Sequence, residues 1–309
     1  MISIILPAYN EESNLRTLYE RLEAVTSEIK NHEFEFIFVD DCSTDRTPEI
    51  LQSLHEGDPR VKVIRFARNN GLNAAVAAGL FHCRGDAAIG MATDLQDPPE
   101  IIPRLIEKWT EGYKVIWGVR KKREGEKVMT KLLSRTFYIM VNLLTVLKVP
   151  SAGADLFLAD RAAIEAFNGS PEKHTSVYLL LMWLGFSQIS IEYVKKPRHS
   201  GTSKWKFSQK VKLAIDCLLS FGSFPGQTMI VIGLATVAAG LLMALFMMFG
   251  YADYHGWRIV LAAILAIGGL QILMLALLGE YIWRTFDESR RRPRYVIESF
   301  IGLVENDKI

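Results

Sequence analysis

Cysteine is scarce in this chain. Only Cys42, Cys83 and Cys217 occur in 309 residues, without the spacing of a metal site or a disulfide framework. A disulfide scaffold is excluded, and the three read as small hydrophobes in a reducing compartment. Glycine-rich phosphate loops are missing as well. No GxGxxG follows the first apolar run and no GxxxxGK[ST] occurs anywhere, which disfavours a dinucleotide site and a P-loop. The first residues lack the basic start and long apolar core of a secretory leader, since Met1–Leu6 runs straight into Pro7 and a polar segment. Charge is not lacking: 23% of residues are Asp, Glu, Lys or Arg and 50% are hydrophobic, which excludes a disordered or collagenous chain.

The net charge of +2 gives no basis for a nucleic-acid partner, but it averages two opposite parts. Residues 1–100 hold nine Lys/Arg and seventeen Asp/Glu, a balance of −8, so residues 101–309 carry +10. Within the basic part lie two stretches with no charged side chain, Thr228–Gly250 and Ile259–Gly279, of 23 and 21 residues. At about 1.5 Å per residue, each is long enough as a helix to cross a hydrocarbon core of about 30 Å. Lys204, Lys206, Lys210 and Lys212 precede the pair, and Arg284, Arg290, Arg291, Arg292 and Arg294 follow it. The positive-inside bias therefore predicts a hairpin with both ends in the cytoplasm. Tyr251, Tyr254, Trp257, Tyr281 and Trp283 suit the aromatic belts at the two interfaces. Val128–Val149 and Phe207–Phe221 mix apolar and basic residues, as helices lying in a membrane interface do.

Short apolar runs alternate with helical patterns over the first 120 residues. Ile2–Leu6, Phe34–Asp40, Val61–Phe66, Ala87–Ala92 and Lys114–Gly118 read as buried strands. Glu12–Ile29, with Asn10 as its cap, Thr47–Leu54 and Asn73–His82 read as helices. This alternation predicts an α/β domain with a mostly parallel central sheet, whose ligands bind beyond the carboxyl ends of the strands. Three acidic clusters follow strands at that edge: Pro7-Ala8-Tyr9-Asn10-Glu11, Asp40 to Asp45, and Asp94-Leu95-Gln96-Asp97-Pro98-Pro99-Glu100. Together they would repel a bare phosphate. They suit a ligand that brings a divalent cation, or one that offers hydroxyl and N–H groups. Asp97 is also placed to cap a helix starting at Pro99.

The motifs PAYNE, VDDCSTDRT, RNNGLNAA and DLQDPP, followed by Arg198-His199-Ser200-Gly201-Thr202-Ser203-Lys204, resemble the inverting GT-A glycosyltransferases of family 2. Within them the chain is similar to the polyisoprenyl-phosphate glycosyltransferases, the bactoprenol glucosyltransferase and dolichol-phosphate mannose synthase group. The motifs span residues 1–205, and the C-terminal hairpin points to the bacterial branch. The resemblance implies a cytoplasmic GT-A catalytic domain over 1–205, with amphipathic 128–149 inside it. A juxtamembrane helix follows over 206–227, then a transmembrane hairpin over 228–283 and a basic cytoplasmic tail over 284–309.

The resemblance implies a nucleotide-sugar donor. Pro7, Tyr9, Glu11 and Asp40 match the family's positions around base and ribose. Asp94 and Gln96 match its metal position, for Mg²⁺ or Mn²⁺ against the donor diphosphate. Ala92 stands where related mannose synthases have a further Asp, so most metal ligands would come from diphosphate and water. Arg120, Arg123, Arg135, Arg198 and Lys204 fall on positions resembling the phosphate-binding residues. Asp94, Arg120 and Asp155 are the catalytic candidates, Asp155 orienting an arginine or a sugar hydroxyl near the acceptor. The implied reaction is inverting transfer of one hexose to undecaprenyl or another polyprenyl phosphate. UDP-glucose is the first choice of donor, ahead of UDP-N-acetylglucosamine, an amino-arabinose donor and GDP-mannose. A lipid phosphate has its second pKa at about 6 and is mostly a dianion at neutral pH, so no strong general base is expected.

Two other readings compete. A processive polysaccharide synthase would carry Gln-x-x-Arg-Trp, which is absent. A non-catalytic membrane adaptor would not need both the acidic and the basic sets. The implied setting is the bacterial plasma membrane, with both termini cytoplasmic, and the resemblance suggests a homo-oligomer, a tetramer.

Overall fold

The computed structural model describes residues 1–123, 154–170, 172, 176–195, 231–233, 235–236, 238–240, 242, 256–290 and 292–303. The chain divides into two compact units, Met1–Cys217 with Pro293–Ile309, and Leu218–Arg292.

The first unit is built on an eight-stranded sheet in the order β7-β5-β6-β4-β1-β2-β3-β8. The strands are β1 (Ile2–Ala8), β2 (Phe34–Asp40), β3 (Val61–Phe66), β4 (Ala87–Gly90), β5 (Val115–Arg123), β6 (Ala154–Asp160), β7 (Gln188–Lys195) and β8 (Ile297–Ile301). β3, β2, β1 and β4 are mutually parallel, β7 is parallel to β5, and β6 and β8 run antiparallel to their neighbours. Six strands therefore end at one edge of the sheet, as the mostly parallel reading expects. This is a GT-A-like α/β architecture.

Every residue of β2 is buried, which is why these strands read as continuous apolar runs and not as alternating ones. Ile2, Ile4, Leu6, Phe34, Phe36 and Phe38 share one core cluster with Leu15, Leu18 and Leu22 of α1 (Leu15–Glu28), Leu51 and Leu54 of α2 (Thr47–Gly57), and Leu105 of α4 (Ile102–Thr110). Helix α3 (Leu72–His82) packs on β1 and β2, and on α5 (Arg161–Asn168) and α6 (Val177–Trp183). It is buried from Ala74 to Leu80, as a helix apolar all round must be.

Three expectations change. Asn10 does not cap α1, which begins five residues later at Leu15 with Asn14 in the cap position. Asn10 instead has φ +53° and accepts the Thr44 N–H through its side chain at 2.8 Å. Asp97 does not cap the 3-10 turn at Pro99–Ile101, which follows Pro98 without a side-chain cap. Finally, part of the 284–309 stretch read as a basic tail is strand β8, paired along β3.

In the second unit, α7 (Trp257–Ser289) covers Ile259–Gly279 without interruption. Among the described residues no helix is long and apolar enough to cross a membrane. The expected hairpin thus lacks support among them: most of Thr228–Gly250 and several α7 side chains lie outside the described residues. The amphipathic segments 128–149 and 206–227 lie outside them altogether.

Candidate active site

The parallel register brings the acidic loops to one edge. Ala8 pairs with Asp40, and Asp40 with Arg65, at the carboxyl ends of β1, β2 and β3. The loops are stitched together just beyond. Asn10 N–H donates to Ser43 Oγ at 2.9 Å, Glu11 N–H to Thr47 Oγ1 at 2.9 Å, and Arg46 N–H to Glu12 Oε2 at 3.0 Å. Thr93 Oγ1 donates to the Pro7 carbonyl at 2.8 Å, tying the loop after β4 to β1. Among the described residues, three non-glycine residues have left-handed backbones: Asn10, Cys42 and Leu95, at φ +53°, +61° and +60°. One lies in each acidic loop. Such conformations cost on the order of 1–3 kcal/mol and persist where the surroundings over-determine them.

Asp40 is buried and ion-paired with Arg65, and its Oδ1 accepts the Ser43 N–H at 3.0 Å. Asp41 turns the other way and accepts N–H groups from Asn70 and Gly71 at 2.7 and 2.8 Å. Burial pushes the Asp41 carboxyl up; the two N–H donors oppose it, and nearby Asp40 adds to the rise. This clamp fixes the loop of RNNG, where Gly71 takes φ +85° immediately before α3. Tyr9 is 36% exposed, and an exposed tyrosine ring is a face on which a planar base can stack. Glu11 Oε2 accepts from Asn14 Nδ2 at 2.6 Å. Pro7 lies within β1 and fixes the backbone from which this loop departs.

Asp94 Oδ1 accepts the Gln96 N–H at 3.2 Å. Together the two residues offer one carboxylate and one amide oxygen. Among the described residues no three His, Cys, Asp or Glu gather into a metal-holding group. The donor set is hard oxygen and incomplete, which fits Mg²⁺ or Mn²⁺ only when a diphosphate and water supply the other ligands.

The sheet register shifts beside these loops. On β6, Leu156 pairs with Gly118 and Ala154 with Val119, so Asp155 is the extra residue of a bulge. A second shift lies on β5 between Arg120 and Lys122. Bulges re-aim side chains and concentrate next to active sites. Because β6 runs antiparallel, its first residues meet the edge where Arg120 sits, partly buried and opposite Tyr193. The structure thus brings Pro7, Tyr9, Glu11, Asp40, Asp94, Gln96, Arg120 and the backbone of Asp155 to one end of the sheet. The side chains of Asp155 and Arg123, and all of Arg135, Arg198 and Lys204, lie outside the described residues.

Sequence reasoning missed Arg65 and Glu298. Arg65 bridges Asp40 and Glu298 of β8; its place at the end of a strand, level with Asp40, was the available signal. It also missed Tyr193 and Lys195, which meet the buried Asp97, and no local pattern announces that meeting.

Residues 3–167 match the model of glycosyl transferase family 2. The chain is 35% identical over 311 residues to the uncharacterized glycosyltransferase YkcC of Bacillus subtilis (strain 168), covering 99% of this chain and 96% of that one. It is 34% identical over 302 residues to the bactoprenol glucosyl transferase of Shigella phage SfX, covering 96% and 99%. Among solved structures it is similar to mannosyl-3-phosphoglycerate synthase from Rubrobacter xylanophilus, at 16% identity and a TM-score of 0.49, over 70% of this chain and 71% of that one. The acidic loops at the sheet edge, the matched domain and the full-length relatives agree: the chain is a glycosyltransferase and belongs to glycosyl transferase family 2.

Proposed function

We propose that this enzyme transfers a single hexose, with inversion, from UDP-glucose to undecaprenyl or another polyprenyl phosphate. The observation that carries the reading is the gathering of Tyr9, Glu11, Asp40, Asp94, Gln96, Arg120 and the Asp155 bulge at one sheet edge. The near full-length similarity to a bactoprenol glucosyl transferase supports the lipid acceptor and the glucosyl donor.

In this reading Tyr9 stacks on the base, while Glu11 and the remaining lone pairs of Asp40 accept from ribose hydroxyls or a base N–H. Asp94 and Gln96 would hold a divalent cation, which would supply neutralisation of the charge that develops on the leaving diphosphate. Arg120 adds a fixed positive group at the same edge. The acceptor phosphate oxygen attacks the anomeric carbon, and the bond from that carbon to the diphosphate oxygen breaks. The dianionic phosphate needs no proton removed, so Asp155 orients and does not act as a base. Arg123, Arg135, Arg198 and Lys204 serve the diphosphate and the acceptor phosphate.

The anchoring belongs to the same proposal. Residues 228–283 form a hairpin in the bacterial plasma membrane, with catalytic domain and termini cytoplasmic, and the amphipathic segments lower the site toward the lipid headgroups. The two uncharged stretches, Thr228–Gly250 and Ile259–Gly279, and their basic flanks support this. A homo-oligomer, a tetramer, completes the picture.

The test incubates purified full-length protein with polyprenyl phosphate and a panel of labelled nucleotide sugars. A lipid-linked glucose from UDP-glucose alone is the expected product. Product from UDP-N-acetylglucosamine, an amino-arabinose donor or GDP-mannose reassigns the donor, and no product from any donor overturns the enzymatic reading.

A further inference from the structure

Asp97 is fully buried, at 0% exposure. Its Oδ1 accepts from the Tyr193 hydroxyl at 2.5 Å and lies 3.2 Å from Lys195 Nζ. Tyr193 and Lys195 are two residues apart on β7 and so project from the same face of that strand. Removing a carboxylate from water costs several kcal/mol per ion even after relaxation, and replacing such pairs with apolar residues is often neutral or stabilising. Stability alone is therefore a poor account of this cluster.

Its position supplies a better one. Asp97 directly follows Gln96, and one residue before Gln96 is Leu95, buried with φ +60°. A bulky residue in the left-handed region is a genuine outlier. Two unfavourable features thus occupy one four-residue stretch, Asp94 to Asp97, and the two residues between or beside them are Asp94 and Gln96. The loop is pinned at its far end by the buried carboxylate and held in an otherwise disfavoured backbone. β7, the strand that pins it, is itself tied to the helix following the loop, since Arg104 donates to the Glu192 carbonyl at 3.1 Å.

We propose that Tyr193, Asp97 and Lys195 form a brace whose task is to hold Asp94 and Gln96 in the arrangement that receives a cation–diphosphate pair. They are positioning residues, acting through the loop and not on the substrate. The inference rests on the cation role given to Asp94 and Gln96 above. The brace fixes, through the loop backbone, ligands that would otherwise sample several orientations. It also accounts for a site with so few protein ligands: when only two are available, their placement must be settled before the nucleotide arrives.

The experiment uses full-length protein in detergent and two titrations, MnCl2 into protein saturated with UDP, and UDP into protein in EDTA. Two variants are compared with wild type. Tyr193→Phe keeps the ring and removes the hydroxyl donor. The double variant Asp97→Asn with Lys195→Met removes the charge pair as a unit and leaves no lone buried charge. In both, Mn²⁺ affinity in the presence of UDP falls by about tenfold or more, while UDP affinity in EDTA stays within about twofold. Unchanged Mn²⁺ affinity in both variants, or a parallel loss of UDP affinity in EDTA, overturns the brace. A wild type whose UDP binding gains nothing from Mn²⁺ overturns the cation reading itself, and the brace with it.

Discussion

Arg65 Nε donates to Oε2 of Glu298 at 2.7 Å, across 233 positions of sequence. The same guanidinium reaches Asp40 Oδ2 through Nη1. Glu298 is the extra residue where the β3–β8 register shifts, since Arg65 pairs with Ser299 and Phe66 with Ile297. The bulge leaves Glu298 unpaired in the ladder and within reach of the Arg65 guanidinium.

The two halves of this bridge should differ in weight. Asp40 is buried and Glu298 is largely exposed. Arg65→Met leaves a buried carboxylate without its partner and costs about 3 kcal/mol, whereas Glu298→Gln costs less than about 1 kcal/mol. Denaturant unfolding of both variants checks the order. Equal losses would show that Arg65 does not serve Asp40.

Acid stability should depend on Glu35. This buried carboxyl is pushed up by burial, but the Lys62 ion pair, the Ser3 hydroxyl and the Arg84 N–H outweigh that and hold it below its ordinary value of 4.5. The folded form therefore binds fewer protons than the unfolded one. Its contribution is complete above pH 4.5 and is lost as pH falls through the lower folded value. Glu35→Gln flattens the acid limb of a Tm-against-pH curve, and overlapping limbs would refute the assignment.

Gly90 ends β4 just before the Met91–Asp97 loop, and a Cβ there would overlap the Phe157 ring. Overpacking of a filled core costs about 1–3 kcal/mol. Gly90→Ala is expected to show that loss in thermal unfolding, relieved when Phe157→Leu is added. A double variant no more stable than Gly90→Ala would place the strain elsewhere.

Asp155→Asn separates two roles for the bulged residue. With a dianionic acceptor needing no base, turnover falls modestly and its pH profile keeps its shape. A collapse of kcat with normal binding of both substrates would make Asp155 the base.

Legibility followed locality. β1 to β3 could be read because runs such as Phe34–Asp40 are buried on every residue, and their loops because three acidic motifs repeat at strand ends. β5 was read short, since Arg120–Arg123 look like a basic turn although they continue the strand. β7 alternates in burial as an edge element, and β8 is five residues long and pairs with β3 far away in sequence. Neither carries a turn signal that would mark it. Asp97 invited a capping role because Pro98 and Pro99 follow it, and only the fold sets Tyr193 within 2.5 Å of its carboxylate.

Strand β8 has a consequence for topology that hydropathy cannot supply. The chain leaves the catalytic unit after Cys217 and rejoins it at Pro293, where Tyr295 stacks on Phe66 at 4.9 Å and Ile297–Ile301 zips onto β3. In the anchored arrangement proposed above, a segment with both ends sewn into one folded body makes an even number of bilayer crossings. One span, or three, would strand the final strand on the wrong side of the membrane from the sheet it completes.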